Sequence, residues 1–261
     1  ARCTLAGATL INVPGGTPRS VQSACNVLRA WNGRYDLDSV GAHVFRVFIA
    51  DYRSKFATHL TAPFNPAHPV FTPSSPAPAV PANIANDPML VSLASGLNRL
   101  DQAGIAYTAT LGSVQVFQPT GGAAPGGTAV AIGPSFPWHG GDGTIDGAFN
   151  AVRTVNSSVW EDTRIPRLNP ATIANTAGLS ATSGEGWQIA YGTSWHFGLE
   201  FTPEGPRALG LVSYSQSANS ASPYFSDQSR RYSEKDMRAI PFTEQEIAAA
   251  LVPGGETTIR P

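Results

Sequence analysis

Residues 211–228, LVSYSQSANSASPYFSDQ, run an apolar strand straight into a long loop of Ser, Asn, Gln and Pro that closes on an Asp-Gln pair. Such a junction demands a sheet with an irregular polar loop fixed to its end, because that many polar groups need internal partners. Two apolar segments, residues 187–191 and 194–201, precede it. Pro203-Glu204-Gly205-Pro206 turns the second of them into a strand over residues 208–215, which predicts a hairpin.

The earlier part of the chain follows a different period. Ser20 or Ser23 caps a predicted helix through Val27, Leu28 and Trp31, stopped by Asn32-Gly33. Asp38 or Ser39 opens a second, with His43, Val44, Val47 and Phe48 along one stripe. Asp87-Pro88 starts a third, in which Leu90, Leu93, Leu97 and Leu100 keep helical spacing as far as Gly104. Residues 107–111 and 114–117 read as short strands around Gly112, and Thr243-Glu244-Gln245-Glu246 is a capping box for a last helix. Helices followed by an antiparallel sheet give an α+β class. The organisation is a helical segment over 1–61, a Pro-rich connection over 62–88, and a helix plus antiparallel strands over 89–261.

Composition narrows the function classes. A net charge of −1 offers no basic excess for nucleic acid. Apolar stretches fall well short of the roughly 20 residues that cross a bilayer, so no membrane partner is expected. No basic region with an apolar core opens the chain, which reads as a processed or excised piece beginning inside folded sequence. Cys3 and Cys25 flank a turn containing Pro14, Gly15, Gly16 and Pro18. They form a disulfide in an exported protein and stay as buried thiols otherwise.

The usual catalytic signatures are missing. Gly192-Thr193-Ser194-Trp195-His196 comes near a nucleophile elbow but ends in His and lies in a strand. No H-E-x-x-H, C-x-x-C or P-loop occurs, and the carboxylates after Gly140-Gly141 are too few for a calcium loop. No metal and no cofactor is therefore expected. Among the histidines, His139 in Trp138-His139-Gly140-Gly141 is the best functional imidazole, with a turn-stabilising role as its alternative. His43 reads as a packing residue, His196 as part of a sheet, and His59 and His68 as solvated.

Particular stretches carry more than composition does. ACNVL at 24–28, WNGRYDLDS at 31–39, GAHVFR at 41–46, PWHGGDGTIDGAFN at 137–150 and the segment 192–242 resemble, in order, the penicillin-amidase family of N-terminal-nucleophile hydrolases. Within it they are most similar to acylases of aculeacin-type lipopeptides, acyl-homoserine lactones and penicillin V. Asn32 stands where the family has Asp, and Ser215 where Gly is common.

The resemblance implies a four-layer αββα sandwich, cut from a proenzyme into small and large chains. Its nucleophile is a Ser at the N-terminus of the large chain, with its own α-amine as base and a backbone N–H and an Asn holding the oxyanion. By order along the family these lie upstream, so the resemblance implies no catalytic residue in this chain. Ala1 lacks a hydroxyl or thiol in any case. The expected partners are the small chain and the N-terminal part of the large chain, together with a small-molecule acyl amide, in a secreted or periplasmic setting.

The polar loop then has two readings. Ser215, Gln216, Ser217 and Asn219 border a substrate cleft, or Gln216, Ser222, Asp227 and Gln228 pin the loop's own backbone. The rival to the whole acylase reading is a stand-alone secreted carbohydrate-binding module that stacks sugars on Trp138, Trp160, Trp187 and Trp195.

Overall fold

Among the described residues, the first part of the molecule opens with helices α1 Arg2–Ala6, α2 Gln22–Ala30, α3 Ala42–Phe56 and α4 Pro88–Gln102. The computed structural model describes residues 1–56, 66–67, 79–117, 119–121, 130–131, 133–141, 152–154, 179–180 and 186–252. It divides into two compact units, Ala1–Gly192 and Thr193–Pro261. His59, His68, Trp160 and most of the 62–88 connection lie outside the described residues.

In the first unit, Asp87 caps α4 as expected, its Oδ1 accepting the Met89 and Leu90 N–H groups at 3.1 and 3.2 Å. Leu90, Leu93, Leu97 and Leu100 of α4 are buried with Val44 and Val47 of α3. The two helices touch at Gly96, where an added Cβ would lie 2.7 Å from the Val47 carbonyl oxygen. A disulfide joins Cys3 to Cys25, tying α1 to α2. Helix α3 starts at Ala42 rather than at Asp38 or Ser39, because Gly41 holds a positive φ of 112° that helical geometry excludes.

Another expectation fails at residues 107–111. No strand forms there. Tyr107 is drawn into hydrogen bonds with Arg19 and Asp101, Thr110 makes only an isolated bridge to Val40, and residues Leu111–Val114 form a single helical turn, α5. Strand β1 is confined to Gln115–Phe117. It pairs antiparallel with β4 (Phe136–Pro137) and parallel with β7 (Gly186–Gly192), which also receives β5 (Val152–Thr154) and β6 (Leu179–Ser180). A minor pair joins β2 (Thr120–Gly121) to β3 (Val130–Ala131).

The second unit is a three-stranded antiparallel sheet in the order β10 (Arg238–Ile240), β9 (Gly205–Val212), β8 (Trp195–Thr202). The predicted hairpin joins β8 and β9, in register from Trp195↔Val212 to Thr202↔Gly205. Helix α6, Asp227–Glu234, follows the polar loop. Helix α7, Glu244–Ala250, begins at Thr243 with the capping box in place. Helices combined with largely antiparallel sheet make the chain α+β.

Alternation along β8 sends Trp195, Phe197, Leu199 and Phe201 to one face, and all four are exposed, Phe201 by 83%. Leu211 and His196 belong to the other face, where the His196 ring meets Tyr232 of α6 with centroids 5.2 Å apart. The helix thus covers one side only at its His196–Leu211 end, while the other side is bare and aromatic.

Candidate functional site

In each unit a constellation of polar residues surrounds a residue that the sequence singles out, His139 in the first and Ser215 in the second. In the first, the Trp138-His139-Gly140 turn is built around Gln115. This fully buried side chain donates from Nε2 to the Trp138 and Gly140 carbonyls at 2.7 and 2.8 Å. Its Oε1 accepts from Arg46 Nη1 at 2.5 Å, and the Arg46 guanidinium lies over the Trp187 ring, 5.1 Å from its centroid. An amide wholly removed from water holds its shape only with donors and acceptors matched this way. Backbone bonds finish the turn: Trp138 N–H donates to Gln115 O, and Gly140 N–H to Tyr35 O. His139 is therefore held in place, buried, with Nδ1 3.9 Å from Asp36 Oδ1.

In the second unit the constellation is the polar loop. Ser215 adopts a left-handed φ of 60°, and its Oγ accepts the Gln228 and Ser229 N–H groups, both at 3.1 Å. These are otherwise orphan donors of α6's first turn, so Ser215 caps that helix from a distance. Gln228 reciprocates, its Oε1 accepting the Val212 N–H at the end of β9 at 2.9 Å. Ser222 Oγ accepts the Tyr224 N–H, and Asn219 Oδ1 that of Ala221. The Gln216 and Ser217 N–H groups share the Tyr224 carbonyl. The Gln216 and Asn219 side chains are exposed.

A serine and a histidine also meet here, Ser213 Oγ lying 3.0 Å from His196 Nδ1. They are not a nucleophile and its base. Ser213 is fully buried and gives its one proton to the Thr193 carbonyl at 2.8 Å, so it can only accept from His196 Nδ1–H. Burial pushes the His196 pKa below its usual value, which favours this neutral form.

The constellations therefore bring His139 to Asp36 and Ser215 to Gln228 and Ser229, with Gln216 and Asn219 at the surface. Sequence reasoning passed over Gln115, Arg46 and Ser213. No local signal marks Gln115, because Val114-Gln115-Val116 reads as ordinary alternation with the Gln facing water. Among the described residues no group of His, Cys, Asp and Glu is placed to hold a metal ion. Nor is any helix there long and apolar enough to cross a membrane. Among the described tryptophans proposed for sugar stacking, Trp138 and Trp187 are buried and offer no open ring face, whereas Trp195 is half exposed.

A sequence model of one family, described as penicillin amidase, matches residues 3–249. The chain belongs to the penicillin amidase family. This penicillin amidase chain is 30% identical over 237 residues to the acyl-homoserine lactone acylase PvdQ of Pseudomonas putida, covering 90% of itself and 25% of that protein. To the PvdQ acylase of Pseudomonas savastanoi it is 28% identical over 225 residues, 86% of this chain and 24% of the relative. Aculeacin-A acylase of Actinoplanes utahensis is similar at 29% over 229 residues, 87% of this chain and 23% of that enzyme. The chain thus spans about a quarter of the length of the curated relatives it matches.

Proposed function

We propose that this chain is the C-terminal part of the large chain of an acylase. The enzyme hydrolyses the amide that links a fatty or aromatic acyl group to a lipopeptide, a homoserine lactone or a β-lactam nucleus. Its nucleophilic Ser sits on a segment outside this chain, and the present part completes a four-layer αββα sandwich. The reading is supported by a family match that runs nearly end to end in this chain while spanning only about a quarter of acylase-length relatives.

The observation that carries it is the bare face of the second unit's sheet. Trp195, Phe197, Leu199, Phe201 and Ile240 share this face and are all exposed large apolar residues. A self-sufficient secreted module of this size would cover such a face, whereas one half of a sheet-on-sheet core leaves it open until the other sheet packs on it at roughly 10 Å. The Cys3–Cys25 disulfide fits the oxidising setting of a secreted or periplasmic enzyme. In the assembled acylase, we assign Gln216 and Asn219 of the second unit to the edge of the substrate cleft, with Ser215 fixing the loop that carries Gln216.

Native mass spectrometry of the purified protein, with N-terminal sequencing of each chain present, tests the reading. Co-purifying polypeptides, one starting at Ser, together with release of fatty acid from an acyl-homoserine lactone, are the expected result. A stable lone monomer of this chain without hydrolytic partners would overturn it.

A further inference from the structure

The disulfide and the fully buried carboxylate of Asp87 are connected through Arg2. Asp87 has no side-chain exposure, and each of its oxygens has a separate task. Oδ1 caps α4 through the Met89 and Leu90 N–H groups, while Oδ2 accepts from Arg2 Nε at 2.7 Å. Arg2 is the first residue of α1, a helix of only five residues, too short to persist in water on its own. The covalent tether of that helix is Cys3, next to Arg2 and bonded to Cys25 of the well-packed α2. Tyr52 of α3 is buried close to both charges, since Arg2 and Asp87 each act on its ionisation.

We infer that the Cys3–Cys25 disulfide is a redox latch that delivers Arg2 to the buried carboxylate capping α4. A dithiol reductant gives two electrons and two protons to the S–S bond, leaving two thiols and a cyclic disulfide of the reductant. With that tether cut, α1 keeps Ala6 as its one buried residue, too little to hold a five-residue helix, and Arg2 leaves as the helix melts. Asp87 is then a buried carboxylate without its cation, a state the protein relieves only by letting water in or taking up a proton. Either response weakens the cap, so the first turn of α4 loosens at a distance from the sulfur atoms. A disulfide oxidant reverses each step, taking two electrons and two protons from the two thiols and leaving as a dithiol. The helical unit thus reaches its closed state only where disulfides form, which couples maturation to compartment independently of the acylase reading.

Amide hydrogen exchange on the full-length protein, read by mass spectrometry over residues 87–91, tests the latch. Arg2→Gln removes the cation, Cys3→Ser with Cys25→Ser removes the tether, and the combined variant removes both. Exchange at the Met89 and Leu90 amides is expected to quicken about tenfold in each, with no further gain in the combination. Should the cysteine variant fail to fold, mild dithiol reduction of the native protein followed by reoxidation gives the same comparison, with protection lost and then regained. Loosening confined to α1 and α2 after reduction, with residues 87–91 unchanged, would overturn the proposal. So would effects of the two changes that multiply.

Discussion

His43 shows how much one side chain can hold. It is fully buried on α3, its Nε2–H donating to the Ala106 carbonyl at 3.0 Å, and burial lowers its pKa from 6.5 to about 4, with Arg46 nearby adding to the effect. Because the folded value lies below the unfolded one, the unfolded chain takes the proton first as pH falls. The contribution to stability is whole above about 6.5 and drains away toward about 4, amounting to on the order of 3 kcal/mol. In His43→Gln, which keeps a donor for Ala106, urea unfolding should be somewhat easier at pH 7.5 and far less pH-dependent between 6.5 and 4. Parallel pH profiles for the two proteins would contradict this. Ser215 poses a different balance. A left-handed φ costs a non-glycine residue roughly 1 kcal/mol, yet its hydroxyl serves two amides of α6. Ser215→Gly relieves the strain and loses the acceptor; Ser215→Ala loses the acceptor and keeps the strain. Thermal unfolding should rank wild type above Gly and Gly above Ala, with the alanine variant about 1–2 kcal/mol below wild type. Glycine above wild type would mean that the hydroxyl contributes little.

Among the elements, the contact of α3 with α4 sets two effects against each other at Gly96. Alanine in a helix interior normally gains about 1 kcal/mol over glycine. Here its Cβ would stand 2.7 Å from the Val47 carbonyl oxygen and 2.8 Å from its carbon, backbone atoms that cannot rotate aside. Separating the helices costs more than the propensity returns, so Gly96→Ala should lose about 1–2 kcal/mol in denaturant unfolding. A gain would show that the helices slide apart freely. Elements with a strong local signal were legible in the chain: α4 from Asp87-Pro88 and four leucines, the β8–β9 hairpin from Pro203-Glu204-Gly205-Pro206, and α7 from its capping box. What stayed hidden was set by distant partners. Tyr107 looks like a strand residue until Arg19 and Asp101 claim its hydroxyl. Helix α6 is held by Ser215 and buries Gln228, Ser229, Tyr232 and Ser233 at helical spacing, a face with Tyr232 as its single large apolar ring and so hard to read from the sequence. The Gln115 network is likewise invisible locally, because its partners Arg46 and Gly140 lie 69 and 25 residues away in the chain.

For the whole molecule, the question is what faces Phe201. Its side chain is 83% exposed on the same face as Trp195 and Phe197, whose rings stack with centroids 6.1 Å apart. If water is its permanent neighbour, Phe201→Asp is close to neutral, since surface substitutions seldom exceed about 0.5 kcal/mol. If a second sheet from the rest of an acylase covers the face, the same change places a carboxylate in an apolar core, at a cost of several kcal/mol. The two situations separate cleanly when the variant is made both in this chain alone and in the full-length protein. In the isolated chain Phe201→Asp should leave the circular dichroism spectrum unchanged and raise the concentration at which it stays monomeric, because an apolar patch has been broken. In the full-length protein it should cut the yield of assembled material by about tenfold or more. Phe201→Leu should retain most of that yield, showing that loss of apolarity rather than of the ring is responsible. Normal assembly of the aspartate variant would place this face in solvent and remove the main support for a shared sheet-on-sheet core.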